Sequence, residues 1–127
     1  MMYYTEDTIL YLDGKWIKAK DAGVSLYNQS LHYGNAVFEG IRSYDTEDGV
    51  LIFKAREHYD RLRFSAQKMH IPLTYTSEEL TKISYELLER NNLTNAYLRP
   101  LVYPGENMSL VAGEESHVLL CAWEWGR

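Results

Sequence analysis

Three arginines and a set of aromatic rings are the side chains in this chain best suited to chemistry. Arg61 falls in a run of helical periodicity, and Arg42 and Arg99 in runs that alternate like strands. A guanidinium presents a planar fork of donors that matches the paired oxygens of a phosphate or carboxylate. For Arg61 two readings stand: an i,i+4 pair with Glu57 on the helix surface, or a cation aimed at a phosphate. Arg56 and Arg63 read as solvated. Arg42 and Arg99 either point outward or lie buried, and a buried arginine needs an anionic partner or several acceptors; a small carboxylate ligand would serve. Around them Tyr33, Phe38, Tyr97, Trp123 and Trp125 either line an apolar pocket or belong to core and interface. Trp123 and Trp125 share strand parity and so face one side. Trp125 calls for cover from something beyond this chain.

Other chemistries lack their residues. His32, His58, His70 and His117 show no metal-ligand spacing with cysteine or carboxylate, so no metal site is expected. No Gly-rich phosphate loop, nucleophile elbow or Cys-x-x-Cys is present. Cys121 is the single cysteine, so no intrachain disulfide can form, and its apolar run Val118 to Ala122 predicts a packed, inert thiol. The formal charge of −5, with scattered cations, argues against a nucleic-acid partner. The first residues lack a basic start and an apolar core, and no apolar run nears the roughly 20 residues that span a bilayer. The expectation is a cytoplasmic protein with no membrane partner. Eleven tyrosines suit a binding surface or wet interface, and equally ordinary strand propensity.

The elements that must position these side chains are legible from pattern. Thr8 to Leu12 and Lys15 to Ala19 read as a hairpin turned by Asp13-Gly14, which accept the positive φ of a tight two-residue turn. Ser30 to Tyr33 reads as a short helical turn stopped by Gly34. Ala36 to Tyr44 alternates as a strand, and Gly40 inside it suggests a bulge or a closely approaching ligand. Val50 to Phe53 returns. A helix over Ala55 to Met69 buries Tyr59, Leu62, Ala66 and Met69; a second, N-capped by Ser77, buries Leu80, Ile83, Leu87 and Leu88 and stops at Asn91-Asn92. Ala96 to Tyr103 and His117 to Glu124 are strands. Pro100 cannot donate to a ladder, so the first of them is an edge or is interrupted there. Pro104 to Glu115 is a long polar loop of the kind that carries function. The order predicts one α+β domain over residues 1–127, with a largely antiparallel sheet and two helices on one face.

Leu31-His-Tyr-Gly-x-x-Val-Phe-Glu-Gly-Ile-Arg-x-Tyr44 resembles the N-terminal small domain of class IV, fold-type IV pyridoxal-phosphate aminotransferases, in the form found in branched-chain amino acid aminotransferases. Arg56 to Leu62, Asn91 to Leu101 and Ala122 to Gly126 continue the resemblance in order, so it covers nearly the whole chain. It implies a pyridoxal 5'-phosphate enzyme that exchanges amino groups between leucine, isoleucine or valine and 2-oxoglutarate, with amino acids and 2-oxo acids as partners and a homo-oligomer, at least a dimer, as the assembly. It also implies roles. Arg61 matches the arginine on the cofactor phosphate. Phe38, Tyr97 and Trp125 match the substrate pocket and Gly40 its floor. Tyr33 matches a tyrosine that reaches the neighbouring subunit's site. Arg99, with Arg42 behind it, matches arginines that accept acidic substrates. Met108 to Val111 matches, in divergent form, a loop that covers the partner's pocket.

The lysine that holds the cofactor as a Schiff base is absent: Lys15, Lys18, Lys20, Lys54, Lys68 and Lys82 stand in none of its motif contexts. The expectation is a truncated chain, a proteolytic fragment or a split gene, inactive alone, whose C-terminal lysine-bearing domain lies elsewhere. Two sister activities, D-amino acid transaminase and aminodeoxychorismate lyase, and a non-catalytic binding or interaction domain are the alternatives.

Overall fold

The computed structural model describes residues 2–126. Among these, seven strands form one antiparallel sheet: β1 (Ile9–Leu12), β2 (Lys15–Lys18), β3 (Val37–Phe38), β4 (Ile41–Thr46), β5 (Gly49–Ile52), β6 (Ala96–Pro104) and β7 (Ser116–Glu124). The helices are α1 (Gln29–Tyr33), α2 (Ala55–Lys68) and α3 (Ser77–Arg90). The strand order is β2-β1-β7-β6-β4-β5, with β3 also on β6. The α+β architecture expected from the sequence is the one observed.

The core lies between the sheet and the two long helices. Tyr59, Leu62 and Ala66 of α2 and Leu80, Leu87 and Leu88 of α3 pack on Val37, Ile41, Leu98, Val102, Val118 and Leu120. Met69, expected in that stripe, is instead exposed beyond the end of α2. The Asp13-Gly14 turn has φ of 50° and 87°, as its residues require. Gly34 ends α1 at φ 74°, its N–H reaching the Ser30 carbonyl.

Two local expectations change. The N-cap of α3 is Thr76, not Ser77: the Thr76 hydroxyl accepts from the Glu79 N–H at 3.0 Å and the Glu79 carboxylate accepts from the Thr76 N–H at 2.9 Å, a reciprocal capping box. β6 is not an edge, since β7 pairs along its whole length and β3 and β4 pair on its other side. Of the two readings of Pro100, interruption is the observed one. Phe38 faces Leu101 and Ile41 faces Leu98, so Glu39 lies opposite Pro100. The Glu39 N–H reaches the Pro100 carbonyl at 3.2 Å, and proline returns no donor. The ladder therefore opens between β3 and β4 while the register continues through it.

Candidate functional site

Strand alternation sorts the candidate residues onto two faces. Val37, Glu39, Ile41 and Ser43 are buried on the helix-covered face. Phe38, Gly40 and Arg42 alternate with them, and so lie on the other face, as do Tyr97 and Arg99 of β6 and Trp123 of β7, whose neighbours Leu98, Pro100 and Ala122 point to the core.

On that open face the rings and guanidiniums meet. Tyr97 stacks on Trp123 with centroids 5.1 Å apart and lies 5.4 Å from Trp125. The Arg99 guanidinium sits 4.2 Å from the Phe38 ring centroid and 5.4 Å from that of Tyr97, within cation–π range of both. Its Nη2 donates to the Tyr97 hydroxyl at 2.8 Å, while its buried Nε has no hydrogen-bond partner. No carboxylate pairs with Arg99 among the described residues. Gly40 lies against this wall: a Cβ there would stand 2.2 Å from the Tyr97 hydroxyl. Arg42 is engaged differently. Its Nε donates to the Ala96 carbonyl at 3.2 Å and its Nη2 to the Gly126 carbonyl at 2.9 Å, and it lies over Tyr44. Backbone oxygens satisfy this arginine, and in doing so it holds the strand end that carries Trp125.

Arg61 projects from α2 toward the ladder opening. No ion pair with Glu57 forms among the described residues; the partner is Glu39. Glu39 is only 7% exposed, whereas the Arg61 side chain is 65% exposed. Arg61 Nε donates to Glu39 Oε2 at 2.9 Å and Nη2 to Oε1 at 2.7 Å, a two-point fork a solvated Glu57 does not match. His58, one turn earlier on α2, places Nδ1 2.8 Å from the same Oε1. Burial pushes the Glu39 carboxyl up, but the hydrogen bonds from Arg61 and then His58, with their charges, outweigh it and hold the group below the usual carboxylate range. The Glu39 hydrogen bond and charge hold the Arg61 guanidinium above its ordinary value. Glu39 uses one edge of the fork, so Nη1 remains for an anion. That donor set fits a phosphate-bearing cofactor.

Tyr33 stands apart from the ring cluster. Its hydroxyl donates to the Met108 carbonyl at 2.8 Å, while Gln29 Nε2 donates to the carbonyls of Ser109 at 2.8 Å and Val111 at 3.2 Å. The 105–115 loop is thus laced to α1. A separate cavity of about 300 Å³ on the open face, between Leu10, Leu12, Val24 and Leu119, shares Trp123 with the cluster but is lined by no charged residue. Glu39 and His58 were not found by sequence reasoning. The available signal was a carboxylate at the parity of Val37 and Ile41, where a charge must have a partner.

Motif, fold and site geometry now agree with one family. The profile described as Amino-transferase class IV matches residues 36–125. This chain belongs to the class IV aminotransferases. The branched-chain-amino-acid aminotransferase of Pseudomonas aeruginosa is 40% identical over 122 residues, covering 94% of this chain and 40% of that protein. The crystal structure of the Escherichia coli branched-chain amino acid aminotransferase superposes with a TM-score of 0.86 at 36% identity, over 94% of this chain and 40% of that one. The branched-chain amino acid aminotransferase of Thermobaculum terrenum, solved in its PLP-form (holo-form), gives 0.81 at 26% identity, over 97% and 42%. The chain therefore spans about two-fifths of the length of the relatives it matches. No helix among the described residues is long and apolar enough to cross a membrane, and among them no group of three or more His, Cys, Asp or Glu could hold a metal ion.

Proposed function

We propose that residues 1–127 are the cofactor- and substrate-facing small domain of a cytoplasmic branched-chain amino acid aminotransferase, which moves amino groups between leucine, isoleucine or valine and 2-oxoglutarate. The observation that carries this reading is Arg99, lying on Phe38 with its Nε unpaired beside a wall of Tyr97, Trp123 and Trp125. One face then offers both an apolar wall for an aliphatic side chain and a cation for a second carboxylate. One methylene more or less in such a pocket changes binding by only about 1–3 kcal/mol, so leucine, isoleucine and valine share it.

Pyridoxal 5'-phosphate, when bound, supplies the electron sink at the substrate α-carbon. The side chains of this chain do the holding. The free edge of Arg61 takes the phosphate. Phe38, Tyr97 and Trp125 exclude water from the aliphatic group, and Gly40 leaves the strand clear at the floor. Arg99 receives the distal carboxylate of an acidic substrate, while Arg42 fixes Trp125 through the strand end. None of the six lysines stands in the family's lysine motif, so this chain alone is proposed to be inactive. Leu26 and Tyr27 just before α1, Leu31 within it, and Leu110 and Val111 in the loop tied to it are exposed apolar residues. They support a homo-oligomer in which Tyr33 and Met108 face a neighbouring subunit.

The test is substrate profiling of the complete protein with pyridoxal 5'-phosphate. Leucine, isoleucine and valine should be converted with 2-oxoglutarate. Preferential turnover of D-alanine or of aminodeoxychorismate would assign a sister activity, and no cofactor binding would leave a binding module.

A further inference from the structure

The contact that the family reading leaves without a role is the buried carboxylate behind Arg61. We propose that Glu39 is a positioning residue: it grips the Arg61 guanidinium along the Nε–Nη2 edge and so presents Nη1 outward as a fixed anion-binding edge. The inference rests on the proposed reading of Arg61 as a phosphate ligand.

Three observations carry it. The first is asymmetry. The carboxylate is buried and the guanidinium exposed, so the pair is anchored from the Glu39 side. An exposed arginine on a helix otherwise samples many rotamers, and a carboxylate that fixes one of them reduces what ligand binding must order. The second is that the carboxylate itself cannot turn. Oε1 accepts from Arg61 Nη2 at 2.7 Å and contacts His58 Nδ1 at 2.8 Å, and Oε2 accepts from Arg61 Nε at 2.9 Å. The third is the backbone beneath it. Glu39 sits where the ladder opens opposite Pro100, held by its own N–H to the Pro100 carbonyl, between Phe38 and Gly40 of the open face. The same two-residue break thus places the substrate wall on one side of the sheet and the phosphate arginine's anchor on the other.

Charge acts against orientation here. A carboxylate beside Arg61 also lowers the potential that an incoming dianion meets. Glu39 lies on the Nε side of the guanidinium, away from Nη1, and the proposal holds that orientation outweighs this repulsion. The sign of the effect of Glu39→Gln therefore decides the matter.

The experiment measures equilibrium binding of pyridoxal 5'-phosphate and of pyridoxal, which lacks the phosphate, to the complete protein by absorbance titration. Wild type, Glu39→Gln, Arg61→Gln, Arg61→Lys and the double variant Glu39→Gln/Arg61→Gln are compared. Glu39→Gln leaves the Arg61 guanidinium solvated and keeps an amide oxygen as an acceptor beside His58 Nδ1; Arg61→Lys keeps a cation beside Glu39 if Arg61→Gln fails to fold. Glu39→Gln should weaken the phosphate-bearing ligand on the order of tenfold, the size of one oriented charge-assisted hydrogen bond. Pyridoxal binding should change little, and the double variant should bind no more weakly than Arg61→Gln. Unchanged or tighter binding by Glu39→Gln, or a loss that persists without Arg61, overturns the positioning role. If neither Arg61 variant loses affinity for the phosphate, the Arg61 reading itself falls, and the role of Glu39 with it.

Discussion

Replacing Gly40 by alanine tests the packing of the open face most directly. Gly40 does not have a positive φ, so the backbone accepts a side chain there without strain. In an open position the change would stabilise the protein by about 0.4–1 kcal/mol, through the unfolded chain. Here the new Cβ meets the Tyr97 ring at 2.2 Å from the hydroxyl oxygen, 2.9 Å from Cζ and 3.2 Å from Cε2. Ordinary contact between such atoms is about 3.5 Å, so the ring must withdraw by roughly 1 Å. It is not free to do so. Trp123 and Trp125 lie against it and Arg99 holds its hydroxyl. Overpacking of this kind costs about 1–3 kcal/mol, a fall in melting temperature of roughly 3–6 °C per kcal/mol for a domain of this size. Thermal denaturation followed by near-ultraviolet circular dichroism reads both the cost and the disturbance of the tryptophans. Tyr97→Phe removes the shortest of the three contacts, so Gly40→Ala should cost less in that background than in wild type. Gly40→Ala as stable as wild type, with unaltered tryptophan dichroism, would refute the picture of a packed ring wall.

Leu62→Ala should destabilise by about 2–5 kcal/mol in urea unfolding, because Leu62 is fully buried in the helix–sheet core and its removal leaves a cavity. Thr76→Ala should cost about 1 kcal/mol by the same assay, since it removes the hydroxyl side of the capping box and frees Glu79. The Glu39 carboxyl titrates lower folded than unfolded. The stability it contributes is therefore complete above its unfolded pKa of about 4.3 and is lost as pH falls through the folded value. The melting-temperature gap between wild type and Glu39→Gln should be widest near neutrality and close on acidification. Burial pushes the Cys121 thiol up to about 11, against a smaller lowering by the Arg99 charge. Iodoacetamide at pH 8 should alkylate it slowly in the native protein and readily in urea, as mass spectrometry would show.

Much of the fold was legible because its signals are local. Asp13-Gly14 requires a tight turn wherever it stands between apolar runs, and the spacing of Tyr59, Leu62 and Ala66 makes a helix stripe without reference to any other segment. Thr76 and Ser77 differ less: either hydroxyl can cap, and only the Glu79 reach-back, three residues past Thr76, chooses between them. Met69 extends the helical spacing of its neighbours on paper, but the helix ends at Lys68 and the side chain leaves the stripe. Pro100 left two readings open, edge or interruption, because a missing donor says only that one bond is lost. It does not say toward which neighbour that donor would have pointed, and here it points at the opening between β3 and β4.

The family, the two long helices, the hairpin and the parity that puts Phe38, Gly40 and Arg42 on one face were readable from residue order, since each rests on residue identity at short range. Tertiary structure alone decided partners. Glu39 and Arg61 are 22 residues apart in the chain, Arg42 ends on carbonyls of residues 125 and 126, and Tyr33 reaches Met108 across the sequence. A guanidinium takes whichever acceptor the fold brings within about 3 Å, and that distance is a property of packed elements, not of spacing along the chain.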